Sequence, residues 1–157
     1  MAVAYYDSLV GLLMLEERYG KIVKLDNVDY RTLKEEMNPV LENAIKQLDE
    51  YFKGARKDFD LEIEMFGTPY MLKVWDELKK IPYGTTISYS ELARRVGNIK
   101  GARSAGGACG KNNIMIIVPC HRVIGKNGKL VGFGGGLDMK AKLLDFEYRN
   151  LNGSLKG

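Results

Sequence analysis

Ala102-Arg103-Ser104-Ala105-Gly106-Gly107-Ala108 is the stretch that most restricts how this chain can fold. Two helix signals stand ahead of it. Thr68 followed by Pro69 supplies a cap and a first helical position, and Ser88 with Glu91 has the spacing of a capping box. The first helix is expected over 69–80, with Met71, Leu72, Val74, Trp75 and Leu78 inward and Pro82-Tyr83-Gly84 as its stop. The second buries Leu92, Ala93 and Val96. Gly97-Asn98-Ile99-Lys100-Gly101 turns the chain into a third helix over 102–109. Helix, short glycine turn, helix is a helix-turn-helix pattern. Two adjacent glycines cost the third helix roughly 1 kcal/mol each relative to alanine. Bare backbone there serves a close approach, either to another helix or to something flat such as the floor of a DNA groove. Arg103 is the only large side chain at the helix start.

The segment before Gly67-Thr68-Pro69 reads differently, so two units are expected, 1–65 and 66–157. In the first, short strands are expected over 3–6, 9–15 and 21–25, with a hairpin turn at Tyr19-Gly20. An amphipathic helix is expected over 33–52. Its apolar set (Leu33, Met37, Leu41, Ala44, Ile45, Leu48, Tyr51, Phe52) recurs at threes and fours, and Gly54 ends it. Residues 58–65 alternate and suit a returning strand. Nothing in this unit looks catalytic, which makes it a supporting domain.

Net charge is +4. Acidic residues outnumber basic ones as far as Leu61, and the basic excess lies wholly after it. On charge alone this fits a solvated surface equally well, and the second unit is where a nucleic-acid footprint is to be sought. No apolar run is long enough to span a bilayer. The first residues lack the basic and apolar regions of a signal peptide. Two cysteines make no disulfide framework, and with one histidine they make no usual four-ligand zinc site.

After the third helix, Asn112-Asn113 breaks into an apolar run, Ile114-Met115-Ile116-Ile117-Val118, which reads as a strand ending at Pro119-Cys120-His121-Arg122-Val123. Cysteine reacts as thiolate, and a free thiol with pKa about 8.5 is only slightly ionised at neutral pH. His121 can take the proton. Neighbours on a strand point to opposite faces, so direct contact needs a turn, or a water between them. A carboxylate would orient the imidazole, and position alone leaves Asp138, Asp145 and Glu147 open. Cys109 has no such context and reads as a packing residue. Turns are expected at Gly125-Lys126-Asn127-Gly128 and a flexible loop at Gly132-Phe133-Gly134-Gly135-Gly136. A last helix over 138–148 buries Leu143, Leu144 and Phe146, and the tail from Asn150 frays.

Ile87-Ser88-Tyr89, Gly97-Asn98, Ala102-Arg103, Gly106-Gly107-Ala108, Asn112, Pro119-Cys120-His121-Arg122-Val123 and Glu147 stand in one order and spacing. In these the chain resembles the O6-alkylguanine-DNA alkyltransferases over 66–151. The resemblance implies an α+β fold, a small ribonuclease H-like sheet-plus-helix domain followed by a helical, winged-helix-like domain with the helix-turn-helix. It implies single-turnover DNA repair in which Cys120 accepts the alkyl group. His121 would be its base through a water, and Glu147 would hold His121. Asn112 would be a hinge, and Tyr89 would assist protonation of the leaving guanine. Double-stranded DNA would be met through the minor groove by Ser88, Tyr89, Ala102, Arg103, Ala105, Gly106 and Arg122, with Arg103 filling the place of the flipped base. Val123, Phe133, Gly134 and Lys140 would line the base pocket. No cofactor and no metal are implied, and the protein would act as a monomer in the cytoplasm, or the nucleus of a eukaryote. Many members have tyrosine-serine where this chain has Phe133-Gly134. Non-reactive lesion-binding members carry tryptophan in place of Cys120. A DNA-binding lesion sensor or regulator, or a cysteine hydrolase, are the competing readings.

Overall fold

The computed structural model describes residues 1–97, 101–125 and 136–153. The chain divides into two compact units, Met1–Met65 and Phe66–Gly157.

The first unit begins as an antiparallel meander of β1 (Ala2–Ser8), β2 (Gly11–Arg18) and β3 (Lys21–Asn27), in that order. Tyr19 and Gly20 join β2 to β3 with φ of 53° and 83°, the left-handed pair that matches strand twist in a two-residue hairpin. Leu9 is turn, not strand. Ser8 Oγ accepts from the Val10 N–H and donates to the Gly11 carbonyl, which closes the chain before β2. Alternation sends Ala4, Leu13, Leu15 and Leu25 to full burial. Helix α1 (Pro39–Phe52) packs on the sheet with Leu41, Ala44 and Leu48 buried.

The expected helix over 33–52 starts six residues late. Asn38 Oδ1 accepts from the Leu41 N–H at 2.9 Å, and Pro39 occupies the first turn. Proline's ring disfavours helical backbone in the residue before it, so the pattern through Leu33 and Met37 cannot continue into α1. Both side chains are exposed. Their segment instead bonds to β1, through Leu33 N–H to Tyr5 Oη and Glu36 N–H to the Val3 carbonyl. Gly54, at φ 78°, ends α1, with Ala55 N–H on the Glu50 carbonyl and Gly54 N–H on the Tyr51 carbonyl. The returning strand over 58–65 shrinks to a parallel bridge of Ile63 with Ile22. Gln47 holds both backbone groups of Asp60, so that part of the segment bonds to a side chain and not to a ladder.

In the second unit, α2 (Pro69–Leu78) is capped by Thr68 Oγ1, which accepts from the Met71 N–H at 3.1 Å. Its buried stripe is Val74, Trp75 and Leu78, while Leu72 lies exposed. β4 (Ile87–Ser88) leads into α3 (Tyr89–Arg95), and α4 (Gly101–Gly110) follows. Ser88 Oγ caps α3 through the Glu91 N–H at 3.0 Å. The Glu91 carboxylate does not complete a box, because Arg94 and Arg95 take it. Trp75 Nε1 donates to the Ala108 carbonyl at 2.9 Å and ties α2 to α4.

The apolar run after α4 is buried except at half-buried Ile117, but it is not a strand. Val118 N–H returns to the Ile114 carbonyl, Ile117 N–H to that of Met115, and Ile116 has φ 72°. Left-handed backbone in a β-branched residue is strained, and a run buried on every side carries no period to distinguish strand from coil. A 3-10 turn, Cys120–Arg122, comes next, then β5 (Val123–Ile124), which pairs parallel with β4. That small pairing has no sequence signal. α5 (Leu137–Leu151) is longer than expected and retains Asn150, whose amide donates to Tyr83 Oη. It buries Met139, Lys140, Leu143 and Glu147, with Leu144 and Phe146 only half-buried. Asn98 to Lys100, the turn after Gly125, and the loop residues Gly132 to Gly135 lie outside the described residues. Among the described residues no helix is long and apolar enough to cross a membrane.

Candidate active site

Cys120 opens the 3-10 turn directly after Pro119 and is 7% exposed. The turn replaces the expected strand end, so Cys120 and His121 are not sent to opposite faces of a sheet. Asn112, just past α4, organises the sulfur. Its Nδ2 donates to Cys120 Sγ at 3.1 Å and to the Val118 carbonyl at 2.9 Å, while Oδ1 accepts from the Ile114 N–H at 2.9 Å. One amide thus spends both its hydrogens and its oxygen on joining the helix end, the buried coil and the thiol. An N–H aimed at sulfur favours its anionic form.

His121 is fully buried, and its Nε2 lies 2.8 Å from Glu147 Oε2. Asp138 and Asp145, the other two carboxylates left open by the sequence, pair with Lys142 and Arg149 on the outer side of α5. Glu147 also receives Arg122 Nε at 2.8 Å, Arg122 Nη2 at 3.0 Å and the Gly84 N–H at 3.3 Å. Burial alone would raise the Glu147 carboxyl, but the hydrogen bonds and charges of His121 and Arg122 hold it well below the usual range. An ionised carboxylate only accepts, so Nε2 carries the proton and donates. Neutral His121 therefore has its lone pair on Nδ1. That atom is buried with no hydrogen-bond partner among the described residues.

Burial is the largest influence on His121 and pushes it below its ordinary 6.5, outweighing the Glu147 contact. The unfolded chain then takes up this proton before the folded one does. Stability contributed by neutral His121 is complete above about 6.5 and falls as pH drops below it. Chemical denaturation is expected to give a lower unfolding free energy at pH 5 than at pH 7. With His121→Asn, this part of the difference should vanish.

Arg122 corrects the expectation of a DNA contact. It is 5% exposed, its Nη1 donates to the Ile81 carbonyl at 2.7 Å, and its guanidinium lies 5.5 Å from the Tyr83 ring centroid. A side chain enclosed on these sides reaches no external phosphate. Ala105 is likewise fully buried and presents nothing outward. Ile81, Tyr83, Gly84 and Asn150 belong to this network, and the sequence pattern did not mark them beyond a helix stop and a fraying tail.

Tyr89 begins α3 beside α4. A Cβ on Gly106 would stand 3.5 Å from its ring, an ordinary contact. Lys140 is 0% exposed, donates from Nζ to Tyr89 Oη at 3.3 Å and lies 5.4 Å from its ring centroid. Burial lowers the Lys140 pKa, while the sulfurs of Cys120 and Cys109 act the other way. Burial, then those two cysteines, raises that of Tyr89. Cys109 is buried, and burial first pushes its thiol up to about 12, so it stays protonated. Val123 is buried in β5. On α4, Ala102 is half-buried and Arg103 exposed, and Ser88 is occupied as a cap. A Cβ on Gly107 would meet nothing within 4 Å. Phe133 and Gly134 lie outside the described residues. Among the described residues no group of three or more metal-ligating side chains is gathered.

A helix-turn-helix set beside a buried cysteine, histidine and glutamate defines a DNA-acting thiol protein. The chain belongs to the 6-O-methylguanine DNA methyltransferase family, whose DNA binding domain matches residues 69–149 and whose ribonuclease-like domain matches residues 1–65. It is 44% identical over 154 residues to the methylated-DNA–protein-cysteine methyltransferase of Mycolicibacterium paratuberculosis, covering 95% of this chain and 93% of that one. It is 41% identical to the constitutive enzyme of that name from Bacillus subtilis, covering 90% and 92%. Its fold is similar to the crystal structure of Mycobacterium tuberculosis OGT in complex with DNA, with a TM-score of 0.87 at 37% identity and full coverage of both chains.

Proposed function

We propose that this protein repairs duplex DNA by moving the alkyl group of an O6-alkylguanine onto its own Cys120, irreversibly and once per molecule. The observation that carries this is the Cys120 turn itself, with Asn112 on the sulfur and an oriented imidazole beside it. The names of its relatives support the same reaction.

The lesion lies inside the base stack, so the nucleotide must be flipped out, at a cost of a few kcal/mol. The Cys120 thiol passes its proton to His121 Nδ1 through a water. The thiolate attacks the alkyl carbon in line, a C–S bond forms, the C–O6 bond breaks, and its electron pair leaves with guanine. Tyr89 supplies a proton to that guanine. A thioether is not cleaved by cellular thiols, which limits each molecule to one turnover. No step calls for a cofactor or metal. One chain carries nucleophile, base and recognition helix, so a monomer suffices. Two free cysteines suit a reducing, cytoplasmic or nuclear setting.

The second unit does the binding and the chemistry in this reading, and the first supports it. α4 enters the minor groove, Ser88 and Ala102 flank the backbone, Arg103 fills the gap left by the base, and Val123, Phe133, Gly134 and Lys140 line the pocket. Gly107 supports close approach, because the space its missing side chain leaves is filled by nothing in the described protein. Gly107→Leu is therefore expected to leave stability unchanged or slightly raised, yet to weaken duplex binding at least tenfold. Arg103→Ala should slow lesion processing by a similar factor with little effect on stability. Equal losses of binding and stability in a titration and a melt would count against the groove contact.

The direct test is intact mass after incubation with a duplex carrying one O6-methylguanine, followed by peptide mapping. One methyl on Cys120, stopping at one per molecule, is the expected result. Unchanged mass with DNA binding retained would make the protein a lesion sensor instead.

A further inference from the structure

Arg122 sits in the heart of the site, yet neither nucleophilic attack nor base flipping uses it. Its guanidinium grips Glu147 at both carboxylate oxygens, at 2.8 and 3.0 Å, and is anchored on its far side by the Ile81 carbonyl at 2.7 Å. The face of Tyr83 lies 5.5 Å from it. This is a built fork, with each of the three guanidinium nitrogens donating to a buried acceptor.

We propose that Arg122 is a positioning residue for alkyl transfer: by holding both oxygens of Glu147 it lets that carboxylate orient His121 while keeping His121 the neutral base. The inference rests on the proposed repair reaction. A lone buried carboxylate against an imidazole favours the imidazolium, which has no lone pair to accept a thiol proton. A fixed cation on the same carboxylate cancels that pull. Among the described residues the charged and titratable groups around His121 are Cys120 and Arg122 on its own turn and Lys140 and Glu147 on α5, with Tyr83, ahead of β4, against Arg122. Arg122 and Lys140 both disfavour a charged His121, and Glu147 alone favours it. Arg122 is bonded to that carboxylate at both oxygens. An arginine is needed because a lysine cannot span two oxygens in this plane.

His121 is the single histidine of the chain, so its ring proton signal in NMR is unambiguous. Its titration and the single-turnover rate of methyl uptake from an O6-methylguanine duplex are measured across pH 5–9. In Arg122→Met, His121 should titrate about one pH unit or more higher. The acidic limb of the rate profile should move with it, so that transfer is about tenfold slower at pH 6 and approaches the unaltered rate at pH 9. A uniform loss of rate at every pH, with the titration unmoved, would overturn the proposal and leave Arg122 a packing residue. Should Arg122→Met not fold, Arg122→Met/Glu147→Gln removes both charges and is compared with Glu147→Gln. The double variant should titrate only slightly higher, from loss of the direct repulsion between Arg122 and His121, and a rise of about one pH unit or more would show that Arg122 does not act through Glu147. A shifted His121 titration in a protein that takes up no methyl would sink the repair reading and leave the Arg122 arrangement standing.

Discussion

Cys120→Ala is expected to take up no methyl over a period in which the unaltered protein takes up one, while its affinity for duplex DNA stays within about twofold. The sulfur is the only atom whose removal ends the chemistry outright. Cys109 cannot replace it, since burial pushes that thiol up to about 12 and nothing in its surroundings orients it for attack. A serine would keep the shape but not the ionisation, so Cys120→Ser should be equally silent. In the proposed binding mode affinity survives because Arg103 and Gly107, exposed on α4, are untouched. Losing one buried sulfur costs about 1 kcal/mol of stability, too little to unfold the chain. Residual methyl uptake at a second residue, seen by peptide mapping, would reassign the acceptor.

Glu147→Leu is expected to cost about 3–5 kcal/mol of folding free energy. The carboxylate is fully buried and is the shared acceptor for His121, Arg122 and the Gly84 N–H. Removing it leaves a buried guanidinium with the Ile81 carbonyl as its remaining hydrogen-bond partner among the described residues. It also leaves an imidazole with no orienting group. The urea midpoint should fall sharply. Adding Arg122→Met to Glu147→Leu should recover part of the loss, because the uncompensated charge is then gone and apolar volume replaces it. No recovery would mean that the loss comes from cavity and packing rather than from charge.

Local chemistry was legible in the chain. The Tyr19-Gly20 hairpin, the Thr68-Pro69 and Ser88 helix starts and the Gly54 helix end each depend on one or two residues whose backbone preference needs no distant partner. Asn38-Pro39 carried the same kind of signal, and the longer apolar period through Leu33 and Met37 masked it. Buried segments were less legible. The run from Ile114 to Val118 is apolar throughout, and a segment surrounded by core has no polar face to reveal its period. On α5 the buried face was set too far toward the apolar residues: Leu144 and Phe146 were expected inward and are only half-buried, while the charged Lys140 and Glu147 are fully buried and find partners there.

What the sequence by itself determined is therefore the family, the cysteine and histidine, and the helix-turn-helix with its bare third helix, since these rest on residue identity and short spacing. Spacing left three carboxylates open and the family resemblance pointed to Glu147; only the tertiary structure showed that carboxylate against His121, Arg122 buried against it, and Cys120 opening a turn where a strand end was expected. Those choices depend on where α5 and the loop before β4 meet the turn, and a buried charge declares itself only through the partner that long-range packing brings to it.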